Sequence, residues 1–138
     1  MQHFETFKAR RVTIGHATAE DLKAYKRQLV THNPVEDRIN IFKDERTSYL
    51  SIKNEDGKLL GVIQIDEIDD KTANVKICVP NISWKNRYGT ESLHQFIKCC
   101  KERKLYSRVY FKKDNSIVKK YNEKRPDVLV TGHYIDIA

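Results

Sequence analysis

A lysine and an arginine beside a glycine that opens a helix form a phosphate-binding arrangement. Residues 84–93 carry it: Trp84-Lys85-Asn86-Arg87-Tyr88-Gly89-Thr90-Glu91-Ser92-Leu93. The first N–H groups of a helix have no acceptor within the helix, and the helix dipole favours an anion there. Lys85 and Arg87 set positive charge beside those amides, and the Thr90 hydroxyl adds a donor. The ligand these residues point to bears a pyrophosphate.

Two elements must hold that loop. Before it, Thr72 to Val79 alternates Val75, Ile77 and Val79 against Asn74, Lys76 and Cys78, which predicts a strand, and Pro80 stops it. After it, Leu93, Phe96, Ile97 and Cys100 recur at helical spacing, which predicts a core-facing helix from Gly89 to about Arg103. Upstream, Arg11 to Ile14 reads as a first strand. Thr18 with Asp21 reads as a near capping box for a helix carrying Leu22, Tyr25 and Leu29. Val35 to Arg46 fits a short helix or a loop. Ser48–Lys53 and Leu59–Ile68 read as a hairpin around Asp56-Gly57, and Asp69-Asp70-Lys71 turns again. Downstream, Ser107–Phe111 predicts a strand, Asn115–Asn122 a short helix with Ile117, Val118 and Tyr121 on its apolar side, and Val128–Ile137 one closing strand.

This order of elements resembles the GNAT superfamily of acyl-coenzyme A-dependent N-acetyltransferases over nearly the whole chain. The most specific stretch is Gly89-Thr90-Glu91, the end of a family pattern of Arg or Gln, two residues, Gly, one residue, then Gly or Ala. Trp84 stands where Arg or Gln is usual, and Arg87 where the first Gly is usual. A second match is Asp114-Asn115-Ser116 followed by Tyr121, six residues after Asn115 where seven is usual. The resemblance implies an α+β fold: a mixed, mostly antiparallel twisted sheet flanked by helices, in a single domain spanning residues 1–138.

The resemblance also implies acetyl-coenzyme A as co-substrate, with no metal, and an amine-bearing small molecule or peptide as acceptor. Pantetheine would lie along Thr72–Val79, with Ile77, Cys78 and Val79 facing the thioester. Pyrophosphate would sit on Lys85, Asn86, Arg87, Tyr88, Gly89 and Thr90, with Asn115 near the coenzyme. Tyr121 would protonate the departing thiolate. An attacking amine is mostly protonated at neutral pH, with a reference pKa of about 10.4, so a carboxylate must help remove a proton. Asp66 and Glu67 are the candidates, Glu67 foremost, although the acidic cluster Asp66–Asp70 also reads as a solvated turn.

Composition narrows the rest. With 138 residues there is material for one core, and 33% charged residues with a net charge of +7 attract anions in general. Cys78, Cys99 and Cys100 are odd in number and lack metal-ligand spacing, which fits a reducing, cytoplasmic compartment. His16, His32, His94 and His133 also lack such spacing, with His94 expected on the exposed side of its helix. No apolar run reaches membrane-spanning length, and no membrane partner is expected. Two alternatives stay open. One is a GNAT-fold binding module, which Trp84 and Arg87 would suit. The other is a nucleic-acid-binding domain built on the basic stretch Lys112 to Arg125, although no known nucleic-acid motif accompanies it. Late strands pairing between subunits would give a homodimer.

Overall fold

Short turns closed by side chains lay down the middle of the molecule. In the first, the Asn54 side-chain oxygen accepts from the N–H groups of Asp56 and Lys58, both at 2.9 Å. Gly57 takes a φ of 80°, a left-handed conformation that glycine adopts without a Cβ penalty. In the second, Asp69 Oδ1 accepts from the N–H groups of Lys71 and Thr72, both at 2.8 Å. These turns join β3 (Thr47–Lys53), β4 (Leu59–Glu67) and β5 (Thr72–Cys78) into an antiparallel meander.

In this computed structural model, residues 4–8, 11–28, 39, 41, 44–80, 88–111, 115–124, 130–131 and 134–137 are described. The other elements are β1 (Phe7–Lys8), β2 (Thr13–His16), α1 (Ala19–Gln28), α2 (Tyr88–Glu102), β6 (Arg108–Tyr110), α3 (Ser116–Lys124), β7 (Val130–Thr131) and β8 (Tyr134–Asp136). The strands form one sheet in the order β1-β2-β3-β4-β5-β6-β8-β7. Every pairing is antiparallel except β5 with β6, which are parallel and therefore need the crossover that α2 supplies.

Period-two alternation divides the side chains between two faces. One face carries Ile14, Leu50, Ile52, Ile63, Ile65, Val75, Ile77 and Val109, which pack with Leu93, Phe96 and Cys100 of α2 and Ile117, Val118 and Tyr121 of α3. The other face carries a smaller cluster of Leu59, Val62 and Cys78 under Tyr25 of α1. The capping box of α1 forms in both directions. Asp21 N–H donates to Thr18 Oγ1 at 3.1 Å, and Thr18 N–H to Asp21 Oδ2 at 3.0 Å. Burial opposes ionisation of Asp21. The Thr18 N–H and the Lys53 ammonium, 3.2 Å away, outweigh it and hold the carboxyl below its usual range.

Three expectations shift. The first strand is Thr13–His16, preceded by the short β1, whose two residues are too few to carry a pattern. The closing stretch holds two paired strands in place of one, with Val130 opposite Ile135 and Thr131 opposite Tyr134. His94 is half-buried, its ring centroid 6.2 Å from that of Tyr121. Leu29 and nearly all of 35–43 lie outside the described residues.

Candidate active site

Strand β5 is built differently along its two edges. Towards β4 it is paired continuously, from Glu67 opposite Ala73 to Val62 opposite Cys78. Towards β6, among the described residues, the pairing covers only Thr72, Ala73 and Asn74. Beyond Asn74 no pairing of β5 with β6 is found among the described residues. A parallel pair that opens in this way exposes backbone donors and acceptors to whatever enters the gap.

Backbone direction identifies the residues that face the gap. The N–H and C=O of one residue point to the same edge of a strand, and successive residues alternate. The Ile77 carbonyl accepts from Asn115 Nδ2 at 3.1 Å, so Ile77 faces the β6 side. A Cβ built on Gly61 of β4 would lie 2.3 Å from the Cys78 carbonyl oxygen, so Cys78 faces β4. By alternation Val75, Ile77 and Val79 present their backbone to the gap and Cys78 does not. The Cys78 side chain is wholly buried under α1. Of the three residues named from the sequence, Ile77 and Val79 therefore turn their backbone towards β6 and Cys78 turns away.

Asn115 joins the two walls of the gap. Its side-chain oxygen accepts from Ile117 N–H at 3.0 Å and Val118 N–H at 3.2 Å, capping α3. Its amide nitrogen meanwhile reaches Ile77. With three bonds at 6% exposure, the side chain fixes the start of α3 against the open edge of β5.

At the far end of β5 the chain passes through 81–87, and α2 begins at Tyr88. Trp84, Lys85, Asn86 and Arg87 lie outside the described residues. Tyr88, Gly89 and Thr90 form the first turn, at the helix end that the sequence sets beside the basic loop. Gly89 has a packing reason as well: a Cβ there would come within 2.9 Å of Ile117, so the glycine lets α2 approach α3. Arg11 brackets this end. Its Nε donates to Glu91 Oε1 at 3.0 Å and its guanidinium lies 4.6 Å from the Tyr88 ring centre.

The two adjacent carboxylates part company. Glu67 lies on the α2 face and accepts from the Tyr106 hydroxyl at 2.8 Å, at the closed end of β5. Asp66 lies on the α1 face, where it accepts from Thr47 Oγ1 at 2.6 Å and Gln64 Nε2 at 2.8 Å. Tyr121, with 2% exposure, stands in α3 against His94 of α2. The structure therefore brings Ile77, Val79 and Asn115 together at the gap and gathers Tyr88, Gly89 and Thr90 at one helix end. It leaves Glu67 on the other side of the sheet from Asp66. Burial raises both the Cys99 and Cys100 thiols, so neither is a poised nucleophile. Among the described residues no group of His, Cys, Asp or Glu is placed to hold a metal ion, and no helix is long and apolar enough to cross a membrane.

Solved structures share this fold. An acetyltransferase from Salmonella typhimurium that modifies the N-terminal serine of the 50S ribosomal subunit protein L7/L12 aligns with TM-score 0.67 and 12% identity. The alignment covers 96% of this chain and 95% of that one. An acetyltransferase of the GNAT family from Staphylococcus aureus aligns with TM-score 0.58 and 14% identity over 92% and 99%. The fold is the GNAT fold. A spermidine N-acetyltransferase from Vibrio cholerae, solved with CoA and spermine, shares it with TM-score 0.63 and 11% identity over 93% and 92%. No protein-family model matches the sequence, and no curated protein does. At these identities the likeness is one of fold.

Proposed function

We propose that the protein transfers an acetyl group from acetyl-coenzyme A to a primary amine by direct attack. The observation that carries this reading is the open edge of β5, which runs from Asn74 towards the N-terminus of α2 inside a GNAT fold. An extended pantetheine arm pairs with Ile77 and Val79 as an added strand would, and pyrophosphate reaches the first turn of α2 with Lys85, Asn86 and Arg87 beside it. The Asn115 amide at the Ile77 carbonyl stands in for one bond of that added strand.

In this scheme the amine lone pair attacks the thioester carbonyl. A backbone N–H at Ile77 or Val79 stabilises the oxyanion that develops. The C–S bond then breaks, and Tyr121 gives its hydroxyl proton to the coenzyme A thiolate. Tyr121 suits this role because α3, which carries it, is fixed to the gap by Asn115.

Thermal-shift and calorimetric titrations with acetyl-coenzyme A and coenzyme A test the reading. Saturable stabilisation is expected, since a ligand that binds only the folded state raises its apparent stability. A flat titration at millimolar ligand would sink the proposal and leave a GNAT-fold protein that binds something else. Tyr121→Phe is expected to lower kcat about tenfold to a hundredfold while leaving coenzyme affinity nearly intact, in line with general acid–base contributions of about 10²–10⁴. An unchanged kcat would remove Tyr121 from the proton path.

A further inference from the structure

Helix α2 stops on an unusual residue. Lys104 takes a φ of 54°, the left-handed conformation that favours glycine. The hydrogen bonds around it are those of a helix stop. Leu105 N–H donates to the Cys100 carbonyl at 2.9 Å, and Lys104 N–H to the Lys101 carbonyl at 3.3 Å. Glycine is the usual residue at this place. A lysine here carries backbone strain, which directs attention to what its side chain does.

Beside Lys104 lies a cavity of about 360 Å³. Buried Cys100, Tyr106 and Ile137 form its floor, and exposed Lys71, Lys101 and Lys104 form its rim. The backbone here is already spent on the fold. Ser107 and Arg108 N–H donate to the Lys71 carbonyl at 2.9 and 3.3 Å, and Ile137 N–H donates to the Ser107 carbonyl at 2.8 Å. The Tyr106 hydroxyl is committed to Glu67. What the cavity offers is therefore an apolar floor under three ammonium groups. No acidic side chain lines it among the described residues, and none of the three lysines has an ion-pair partner among them. The dipole of α2 favours cations at this end and suits Lys101 and Lys104. It does not account for Lys71, which comes from the turn before β5, or for the strained backbone of Lys104.

We infer that this cavity binds a carboxylate on an apolar chain, a medium-chain fatty acid anion. The chain lies on Cys100, Tyr106 and Ile137, and the carboxylate sits among the three ammonium groups. Small-molecule sites run from about 300 to 1,000 Å³ and pair an apolar lining with a few polar groups. At about 30 Å³ for a water-sized group, the space takes roughly twelve heavy atoms. The site is distinct from the helix end assigned to pyrophosphate, because a rise of about 1.5 Å per residue sets Cys100 roughly 18 Å along α2 from Tyr88. The inference does not rest on the proposed acetyl transfer.

The test uses isotopically labelled full-length protein with sodium octanoate as probe, kept below its micelle concentration. Octanol supplies the chain without the charge, and acetate the charge without the chain. Saturable NMR shifts of the Tyr106 and Ser107 amides are expected with octanoate, about tenfold weaker binding with octanol, and none with acetate. Added salt should weaken octanoate, since the rim is open to solvent. Lys104→Gly is the decisive variant. It should weaken octanoate roughly threefold, the scale of one exposed charge pair, while its stability in urea stays level with the parent or rises as the strain is released. The triple variant Lys71→Gln, Lys101→Gln, Lys104→Gly should lose about tenfold or more by the same pairwise scale. Lys58→Gln, on the hairpin turn, should bind as the parent does. Octanol binding as tightly as octanoate, parental affinity in the triple variant, no saturable shift, or displacement of octanoate by coenzyme A would each overturn the inference. Coenzyme A titration of the same samples reads the acetyl-transfer proposal separately, so failure of one is not mistaken for failure of the other.

Discussion

The two edges of β5 use the same backbone chemistry to opposite ends. Towards β4 it runs in an unbroken ladder, and at Gly61 the strands come so close that a single methyl group would strike the Cys78 carbonyl oxygen at 2.3 Å. Towards β6 the ladder stops after Asn74, and one side chain, Asn115, spans to Ile77. The closed edge spends its hydrogen bonds on the ladder, while towards β6 one side-chain amide takes the place of a strand partner at Ile77. The lesson is that one strand can be held by a full ladder on one side and by a single side-chain tether on the other.

Three substitutions sharpen or break this contrast. Gly61→Ala should be the most damaging. The backbone carbonyl it meets cannot swing aside, so about 3 kcal/mol is expected to be lost in urea denaturation, the upper end for overpacking. A loss under about 1 kcal/mol would show that the closed edge is softer than its spacing implies. Asn115→Ala should cost about 2 kcal/mol, from the cap of α3 and the Ile77 carbonyl left unpaired. It should also lower the stabilisation by coenzyme A. Loss of stability with full coenzyme binding would mean that Asn115 serves the fold alone.

Asp21→Asn gives the baseline, because the α1 cap touches neither edge. It should cost about 1 kcal/mol at neutral pH, typical of a cap, without changing the shift produced by coenzyme A. The Asp21 carboxyl is lowered in the folded protein, so its contribution is present above its unfolded value, near 3.8, and fades as pH falls through the folded value. The parent and the variant should therefore converge in stability under acid. A gap between them that stays constant at low pH would assign the effect to something other than the charge.

Most of the scaffold was legible because its elements obey local rules. Asp56-Gly57 marks the hairpin, Thr18 and Asp21 the capping box, and Leu93, Phe96 and Cys100 the buried stripe of α2. The start of α2 was legible for the same reason, since the helix expected from Gly89 opens at Tyr88. What escaped depends on partners distant in the chain. That Cys78 turns its backbone to β4 while Ile77 turns to the gap follows from register, which no single strand reveals. Gln64 was passed over inside the apolar run Leu59–Ile65, although a lone amide among inward-facing residues is itself a signal. Asp66 and Glu67 looked equivalent as neighbours, and only the pleat separates them. The final hairpin was read as one strand because Val130–Thr131 and Tyr134–Asp136 are each too short to declare themselves, with Gly132 the one cue between them.

The lone parallel pair of the sheet also bears on how the molecule is assembled. Strands β3 to β5 meet through turns of a few residues, whereas β6 reaches β5 only after the chain has travelled through α2, pairing Thr72 with Arg108. Closing that long loop costs entropy before any contact repays it, so the meander should form early and the wall carrying β6, α3 and β8 should dock late. Pulsed hydrogen exchange during refolding should accordingly protect the amides of β4 before those of β6. If that order holds, the gap is the seam between two folding steps.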